Sequence, residues 1–380
     1  MRIGVVTPQY PPHIAGGGEI SVKLLVDELA KRKEITDVEV YSLDCGYPSQ
    51  VDDITVRRYY TPTRIMEISN AIAIYQLSSE LDDRDLLHAY NMELHPAVGY
   101  LSAQSDIPSV ATLNAYTFLP SSTTKAVTDS KLKSIYKEYW LPTLGKVLTK
   151  QLGKIDRFFA LSDSVKESYS SDLLNEEKIS VIPNMVDPTF EKSLTPNLGN
   201  SDGEAIMVLY VGSLIKSKGV EYLIKSFKNL SDNFNLSIVG TGPRKEILQK
   251  LATALNVDHQ VQFHGHVEHD LLGQMYSMSD VFVHPGIWRE PFGRTILEAM
   301  QAKLPVVCTD IGAPPKIISG ERTVCNVAEP DGLAKAIRYA SENQKHLGNA
   351  NYEKVKTEYQ PNQVISNVVD QYTQVISNYQ

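Results

Sequence analysis

Glu290-Pro-Phe-Gly-Arg-Thr-Ile-Leu-Glu298 is the stretch of this sequence that decides the fold. It follows an apolar, β-branched run, Val281–His284, and leads into a helical pattern that begins at Glu298. A strand, a polar turn and a helix in this order form one unit of a parallel α/β sheet. The amides near Gly293–Thr295 would then begin a helix, which is a natural site for a diphosphate. If the motif stood alone, simple helix capping would remain the minority alternative, at roughly one chance in three.

Strand and helix patterns alternate in both directions from this stretch. Helical patterns are clearest at Glu19–Lys33 and Pro96–Gln104. The predicted strands are Arg2–Thr7, Val38–Ser42, Thr55–Tyr60, Leu86–Tyr90, Ser109–Leu113, Arg157–Leu161, Ile179–Ile182, Ile206–Val211, Leu236–Val239, Val261–Phe263, Val281–His284, Val306–Thr309 and Thr323–Asn326. Such alternation predicts an α/β protein built on parallel sheets, with ligands beyond the carboxyl ends of the strands.

The length of 380 residues predicts two domains, because one hydrophobic core rarely serves so long a chain. The segment Thr195–Gly203 is rich in turn residues and lacks periodicity, so we interpret it as a linker. The predicted domains are residues 1–195 and 204–360, two α/β parallel-sheet blocks facing a cleft, followed by residues 361–380.

Composition narrows the class of function. A net charge of -8 argues against a nucleic-acid partner, which needs a basic face. The three cysteines (Cys45, Cys308 and Cys325) lie far apart, as is usual for buried thiols in a reducing compartment. The sequence shows no signal peptide and no apolar run of membrane-spanning length, so we expect a cytoplasmic protein.

Three further turns follow strands in the second domain. They are Val211-Gly-Ser-Leu-Ile-Lys-Ser-Lys218-Gly219, Val239-Gly-Thr-Gly-Pro243 and Phe263-His-Gly-His-Val267. Glycine lets a ligand approach the backbone closely, and Lys218 offers a point charge to a phosphate. Each turn alone is more often only a turn, by roughly two to one, but four at one sheet edge, counting the Glu290 loop, indicate a ligand site.

A further glycine-rich loop, Gly16-Gly17-Gly18, joins the first strand to the first helix. Its amides suit an anion at a helix start, although a flexible loop is the plainer interpretation. With this loop, and with Ser180-Val-Ile-Pro-Asn-Met-Val-Asp187 ahead of the linker, the motifs resemble glycosyltransferase family 4 in order and spacing over nearly the whole chain. The resemblance implies a GT-B fold, in which two Rossmann-like doubly wound parallel-sheet domains face a cleft. It further implies a retaining hexosyltransferase that uses a nucleotide-diphosphate sugar. It also implies that the last helix, near Asn362–Ser377, crosses back to the first domain.

The resemblance also implies roles for individual residues. Glu290 would contact the donor sugar, Glu298 the ribose and Lys218 the diphosphate. Gly293 and Arg294 would line the diphosphate end of the site, and His264–Val267 would lie against the base. The predicted catalytic residues are Glu290, Lys218 and Asn114. The predicted donor-binding residues are Gly16, Gly17, Gly18, Gly212, Ser213, Gly240, Gly242, His264, Gly265, His266, Val267, Pro291, Phe292, Gly293, Arg294, Thr295 and Glu298.

This sequence departs from the family pattern at three places. Ser213 stands where the family commonly has an arginine, which removes one phosphate-binding cation. Asn114 stands where histidine is frequent, and an amide cannot shuttle a proton. Asn184-Met185 replaces a frequent Asn-Gly. Two alternatives therefore stay open, a nucleotide-sugar epimerase of the same fold and a catalytically inactive nucleotide-sugar-binding subunit; no pyridoxal-phosphate lysine signature supports a phosphorylase.

In the implied mechanism the departing phosphate deprotonates the acceptor, and no metal is needed. Asp83-Arg-Asp85 precedes its strand, so we interpret it as a solvated turn rather than a magnesium site. His88 is expected to be structural, although it could reach the cleft. A UDP-sugar is slightly favoured over a GDP-sugar, and no other cofactor is expected.

The predicted acceptor is a glycan, a lipid-linked molecule or a small molecule. Residues 118–158 carry eight lysines and arginines against three acids, a net charge of +5 (8 − 3). Interleaved with aromatic residues, this segment could lie on anionic lipid, which predicts peripheral contact with the inner face of a membrane. A solvated helix face explains the same charges equally well.

Overall fold

The computed structural model describes residues 1–13, 16–44, 49–63, 65–81, 83–120, 145–194 and 205–379. The predicted linker, Cys45 and most of the basic segment 118–158 lie outside the described residues. The chain forms two compact units. The first contains the described residues up to Met185 and those from Pro361 onward, and the second runs from Val186 to Gln360.

The first unit is built on an eight-stranded sheet. Its strands are β1 (Arg2–Thr7), β2 (Asp37–Ser42), β3 (Ser49–Val51), β4 (Ile54–Arg58), β5 (Leu86–Ala89), β6 (Ser109–Leu113), β7 (Arg157–Ala160) and β8 (Ile179–Val181). They lie in the order β3-β4-β2-β1-β5-β6-β7-β8. All neighbours are parallel except β3 and β4. The strand order reverses between β1 and β5, so ligands are expected beyond the ends of those strands.

The helices between these strands are α1 (Gly17–Ala30), α2 (Met66–Leu77), α3 (His95–Ser105), α4 (Gly145–Leu152) and α5 (Asp163–Asp172). Helix α1 buries Val22, Leu25, Val26 and Leu29, whose spacing puts them on one face toward the sheet. The turn after β1 therefore opens at the start of a helix that is fixed by its apolar face.

The second unit is built on a six-stranded parallel sheet. Its strands are β9 (Ile206–Val211), β10 (Phe234–Val239), β11 (Val261–Gly265), β12 (Val281–His284), β13 (Val306–Thr309) and β14 (Val324–Cys325), in the order β11-β10-β9-β12-β13-β14. The helices are α6 (Pro188–Ser193), α7 (Val220–Ser226), α8 (Lys245–Ala254), α9 (His269–Ser277), α10 (Arg294–Gln301), α11 (Pro314–Ile317), α12 (Pro330–Glu342) and α13 (Gln344–Glu358). Here the order reverses between β9 and β12.

The last helix, α14 (Pro361–Ser377), belongs to the first unit and packs on α1. Val364, Val368 and Tyr372 repeat on one face of it and are buried in the core of that unit. The Tyr372 hydroxyl lies 2.6 Å from Nδ1 of His88, whose Nε2 lies 2.8 Å from the Thr112 hydroxyl. Burial lowers the pKa of His88 to about 3, so this histidine is a neutral core residue that ties α14 to the sheet.

Every predicted strand is present, with ends within two residues of the prediction. The missed strand is β3, which forms an antiparallel hairpin with β4 across Asp52 and Asp53. These two residues both have positive φ, 49° and 67°. Three residues are too few to show a period of two, so β3 carries no sequence signal of its own. No helix in the described residues is long and apolar enough to cross a membrane.

The division between the units falls between Met185 and Val186, ahead of the predicted boundary at residue 195. The reason is α6, which the sequence placed in the first domain. Its Phe190 is buried edge-on against Tyr276, with ring centroids 5.5 Å apart, and packs on α9 of the second unit.

Candidate functional site

The candidate site lies at the carboxyl edge of the second sheet, where the strand order reverses. Lys218 ends a short 3-10 turn, Lys216–Lys218, that follows β9, and Glu290 lies in the loop after β12. Lys218 Nζ donates to Glu290 Oε2 over 2.6 Å. The two side chains are 20% and 12% exposed, so the pair is shielded yet open to a ligand. The structure thus brings together two of the three predicted catalytic residues, and the third, Asn114, lies in the first unit.

Two further side chains converge on the same carboxylate oxygen. Trp288 Nε1 donates to Glu290 Oε2 over 2.9 Å, and Nε2 of the buried His284 lies 3.5 Å from it. The Lys218 ammonium lies 5.7 Å from the centre of the Trp288 ring, within range of a cation–π contact. Within the described chain, Glu290 Oε1 has no hydrogen-bond partner. The carboxylate is therefore held by one oxygen and presents the other.

The charge of Glu290 is set by opposing effects. Burial raises the pKa of this carboxyl, but the Lys218 ammonium and His284 lower it by more. The pKa of Glu290 is therefore held well below its usual range, and the group is an anion at neutral pH.

Glycine turns form the floor beside this pair. A Cβ on Gly219 (φ 68°) would lie 1.9 Å from the Pro285 carbonyl oxygen, and a Cβ on Gly240 would lie 2.0 Å from that of Gly212. The turns are also joined by backbone hydrogen bonds, with the Gly240 amide 2.7 Å from the Gly265 carbonyl. Because only glycine permits these approaches, the turns after β9, β10 and β11 stack side by side.

We expect Gly219→Ala to destabilise the protein by about 2–4 kcal/mol, because the Cβ meets backbone that cannot move aside. Gly265→Ala is the matched control: it has a similar φ of 73°, but nothing lies within 4 Å of its Cβ, so only the backbone strain of about 1 kcal/mol remains. Thermal unfolding measures both, at about 2–4 °C per kcal/mol for a unit of this size. Equal melting temperatures for the two variants would contradict the close approach at Gly219.

Arg294 begins α10, and Glu298 lies on the same helix, four residues further on. Glu298 is 5% exposed, and its Oε2 accepts a 2.9 Å hydrogen bond from the Tyr276 hydroxyl. Arg294 lies 3.7 Å from Glu298 Oε1 and 3.8 Å from Asp187 Oδ2, so its charge is directed at two carboxylates. Burial, and then the charge of Glu298, raise the pKa of Tyr276 well above its usual value. The predicted ribose and diphosphate contacts of these two residues stay predictions.

The other predicted residues of the second unit are spread along the same edge. His264 Nε2 lies 3.2 Å from the Ser237 hydroxyl, and burial lowers its pKa. His266 is exposed, 3.5 Å from Glu268. Ser213 is exposed, and its carbonyl accepts a hydrogen bond from Tyr210. The remaining positions contribute backbone or packing. The Gly242 turn lies against the Leu214 backbone, and Phe292 packs edge-on against Tyr359. The Thr295 carbonyl accepts a hydrogen bond from the Tyr276 hydroxyl, and Pro291 lies two residues before Gly293 (φ 99°), the N-cap of α10.

Gly16, Gly17, Gly18 and Asn114 lie in the first unit, at its own reversal of strand order. Asn114 Nδ2 donates to Asn91 Oδ1 over 2.5 Å, and Asn91 Nδ2 donates to the Thr7 hydroxyl over 3.3 Å. A Cβ on Gly18 would lie 2.5 Å from Asn91 Oδ1, so this glycine admits the amide. The Gly16 amide donates to the Glu19 carboxylate over 2.8 Å, so one of the amides predicted for an anion is already capped.

Sequence reasoning missed His284, Trp288 and Asn91. His284 ends β12 and Trp288 lies two residues before Glu290, so their nearness to Glu290 in the sequence was the available signal. Asn91 follows β5 as Asn114 follows β6, in the left-handed conformation (φ 57°). Its position directly after a strand was a usable signal.

The acidic string Asp83-Arg-Asp85 lies before β5. Arg84 pairs with Asp37, Glu39 and Asp83, and Asp85 pairs with Arg2. These carboxylates are committed to ion pairs within the first unit. Among the described residues, no group of three or more His, Cys, Asp or Glu side chains is arranged to hold a metal ion. Metal independence stays a prediction.

Comparison with known proteins gives the family. The model described as Glycosyltransferase Family 4 matches residues 15–190, and that described as Glycosyl transferases group 1 matches residues 194–357. A relative in Methanocaldococcus jannaschii, named as an uncharacterized glycosyltransferase, is 29% identical over 342 residues, 84% of this chain and 83% of its own. N-acetyl-alpha-D-glucosaminyl L-malate synthase of Bacillus anthracis is 23% identical over 96% of this chain and 95% of its own.

A solved structure shares the whole architecture. Anabaena HepE, solved in complex with UDP, has a TM-score of 0.77 at 16% identity, over 98% of this chain and 100% of that one. At this identity the likeness shows the fold. The two family models together span most of the sequence, and each of the two units is built on a parallel sheet. The chain therefore belongs to the family 4, group 1 glycosyltransferases and has their two-domain GT-B fold.

Proposed function

We propose that this glycosyltransferase is a retaining enzyme that moves a hexosyl group from a nucleotide-diphosphate sugar to an acceptor hydroxyl without a metal. The observation that carries the proposal is the 2.6 Å contact between Lys218 Nζ and Glu290 Oε2 at the reversal of strand order. A diphosphate needs a cation, and a sugar needs a fixed acceptor of hydrogen bonds. This pair supplies both within one site.

In the proposed reaction the bond between the anomeric carbon and the diphosphate oxygen breaks. A bond from the anomeric carbon to the acceptor oxygen forms on the same face, and the acceptor proton passes to the departing diphosphate. Lys218 stabilises the charge that develops on the leaving group. Glu290 accepts hydrogen bonds from hydroxyls of the sugar through Oε1, and its negative charge stabilises the oxocarbenium-like centre.

A UDP-sugar is the proposed donor, slightly ahead of a GDP-sugar. The support is that Anabaena HepE, which has the same fold, was solved with UDP. The proposed base site is the turn His264–Val267, where nothing lies within 4 Å of the position that a Cβ on Gly265 would occupy. Glu298, whose Oε2 accepts a hydrogen bond from the Tyr276 hydroxyl, is proposed to hold the ribose.

Thermal unfolding with UDP, GDP and ADP, with and without EDTA, tests the donor proposal. At about 100 times Kd a nucleotide adds about 2.7 kcal/mol, which raises the melting temperature by several degrees. We expect UDP to give the largest shift and EDTA to leave it unchanged. A shift that needs Mg²⁺ would contradict metal independence, and no shift with any nucleotide would contradict the donor site.

Two results would point to the alternatives. Chromatographic conversion of the nucleotide sugar to its epimer without an acceptor would indicate an epimerase. Nucleotide binding without turnover across many acceptors would indicate an inactive binding subunit, for which the exposed Ser213 in place of a phosphate-binding cation would be the reason.

A further inference from the structure

The first unit contains a cavity of about 600 Å³ that the donor chemistry does not use. It lies where β1, β5 and β6 end, and its lining includes Gln9, Asn91 and Asn114. Ligands of open parallel sheets bind beyond the carboxyl ends of the strands, at the reversal of strand order. The cavity therefore has the position and the volume of a small-molecule site.

Asp44 is the most informative residue of this cavity. Its side chain is 4% exposed, and Oδ2 accepts from Arg58 Nη1 over 2.5 Å and from the Tyr10 amide over 3.3 Å. The other oxygen, Oδ1, is buried and has no hydrogen-bond partner among the described residues. Buried carboxylate oxygens are normally satisfied, so Oδ1 lacks a donor that a ligand would supply.

Asn114, which follows β6, shows the same pattern as Asp44. Its Nδ2 donates to Asn91, while its Oδ1 is buried and without a partner in the described part of the chain. Glu19 and Glu93 bring two more carboxylates to the lining. The cavity thus presents acceptors, which bind O–H and N–H donors.

Positive charge is scarce at this surface. The described residues that line the cavity include no lysine or arginine. The nearby Arg58 is 3% exposed and is committed to Asp44 and to the carbonyls of Tyr10 and Pro11. His13 also lines the cavity, with its Nδ1 3.5 Å from Asp44 Oδ2. A phosphate or carboxylate placed here would face the carboxylates of the lining, and no described lysine or arginine of the lining could bind it.

We propose that the cavity holds an uncharged, hydroxyl-rich acceptor group, a sugar or polyol without phosphate or carboxylate at that point. The inference rests on the proposed transfer function and names the class of its acceptor. Hydroxyls of such a group donate to Asp44 Oδ1 and Asn114 Oδ1. A phosphate or carboxylate on the acceptor, held near these carboxylates, weakens binding of the acceptor by at least about tenfold.

The test measures UDP release from UDP-glucose with paired acceptors, glucose against glucose 6-phosphate and myo-inositol against myo-inositol 1-phosphate. We expect kcat/KM for at least one neutral member to exceed that of its phosphorylated partner about tenfold or more. Equal or better use of the phosphorylated member, or no response to any neutral polyol at about 100 mM, overturns the proposal. Nucleotide binding is measured alongside, because its absence instead refutes the donor site.

A charge introduced at the cavity tests the same inference independently. Asp44→Asn leaves Arg58 buried without its counter-ion and risks the fold, so Thr117→Lys at the lining is the better variant. It should shift the kcat/KM ratio toward the phosphorylated member about tenfold and leave the thermal shift with UDP unchanged. Val147→Lys, on a residue 65% exposed in α4 of the same unit, is the control. Identical ratios in Thr117→Lys and Val147→Lys would refute the cavity as the acceptor site.

Discussion

Lys218→Ala is expected to lower kcat about 10²–10³-fold, the effect of removing one preorganised charge that stabilises a developing anion. The ammonium is 20% exposed and held between Glu290 and the Trp288 ring, so it is fixed before the donor arrives. Without the ammonium, negative charge develops on the departing diphosphate beside the Glu290 carboxylate, and Lys218 no longer offsets it. UDP release at saturating donor measures the loss.

The matched control for this variant is Lys23→Ala. Lys23 pairs with Asp27 over 2.7 Å in α1, at 28% and 25% exposure, and lies outside the proposed sites. Its loss should leave kcat within about twofold of the original protein. Near-original turnover in Lys218→Ala, or equal losses in both variants, would remove Lys218 from catalysis.

Glu290→Gln is the second variant with a large expected effect, again about 10²–10³ in kcat. Glutamine keeps the shape and can still accept from Trp288, but it loses the charge opposite the forming oxocarbenium centre. Because the ground-state hydrogen bonds are partly kept, we expect kcat to fall far more than KM rises. Steady-state kinetics with the donor varied measures the two separately.

Trp288→Phe provides the comparison for Glu290. It keeps an aromatic ring beside Lys218 and removes only the Nε1 donor, so we expect a loss of about tenfold or less. A Glu290→Gln protein as active as Trp288→Phe would show that the charge of Glu290 is not used.

The pH dependence follows from the same contacts. The folded-state pKa of Glu290 lies below the usual 4.5. The contribution of Glu290 to the free energy of unfolding is therefore complete above pH 4.5, and it is lost as the pH falls through the folded-state pKa. Glu290 therefore adds no acid limb to the activity between neutral pH and about pH 5.

The fold was predictable because its signals are local. Strands such as Val281–His284 are β-branched runs bounded by turns, and helices such as α14 show their buried face in the sequence. The hairpin strand β3 and the placement of α6 in the second unit were not predictable. Both depend on tertiary packing, of β3 on β4 and of Phe190 on Tyr276.

Only part of the candidate site was predictable from the sequence. Lys218 and Glu290 stand after strands, where a parallel sheet collects ligand-binding groups. Nothing in the sequence shows that Trp288, His284 and Lys218 meet on one oxygen of Glu290. That convergence depends on side-chain rotamers, and on glycines at which a Cβ would strike the neighbouring turn.

Hydrogen–deuterium exchange with and without saturating UDP, in buffer containing EDTA, tests the central claim most directly. The claim is that the nucleotide-sugar binds at the carboxyl ends of β9 and β12, between the Lys218 turn and the Glu290 loop. We predict that UDP protects peptides covering residues 212–219 and 290–298 and that Lys218→Ala weakens this protection. Bound UDP that protects other segments and leaves these two unchanged would contradict it.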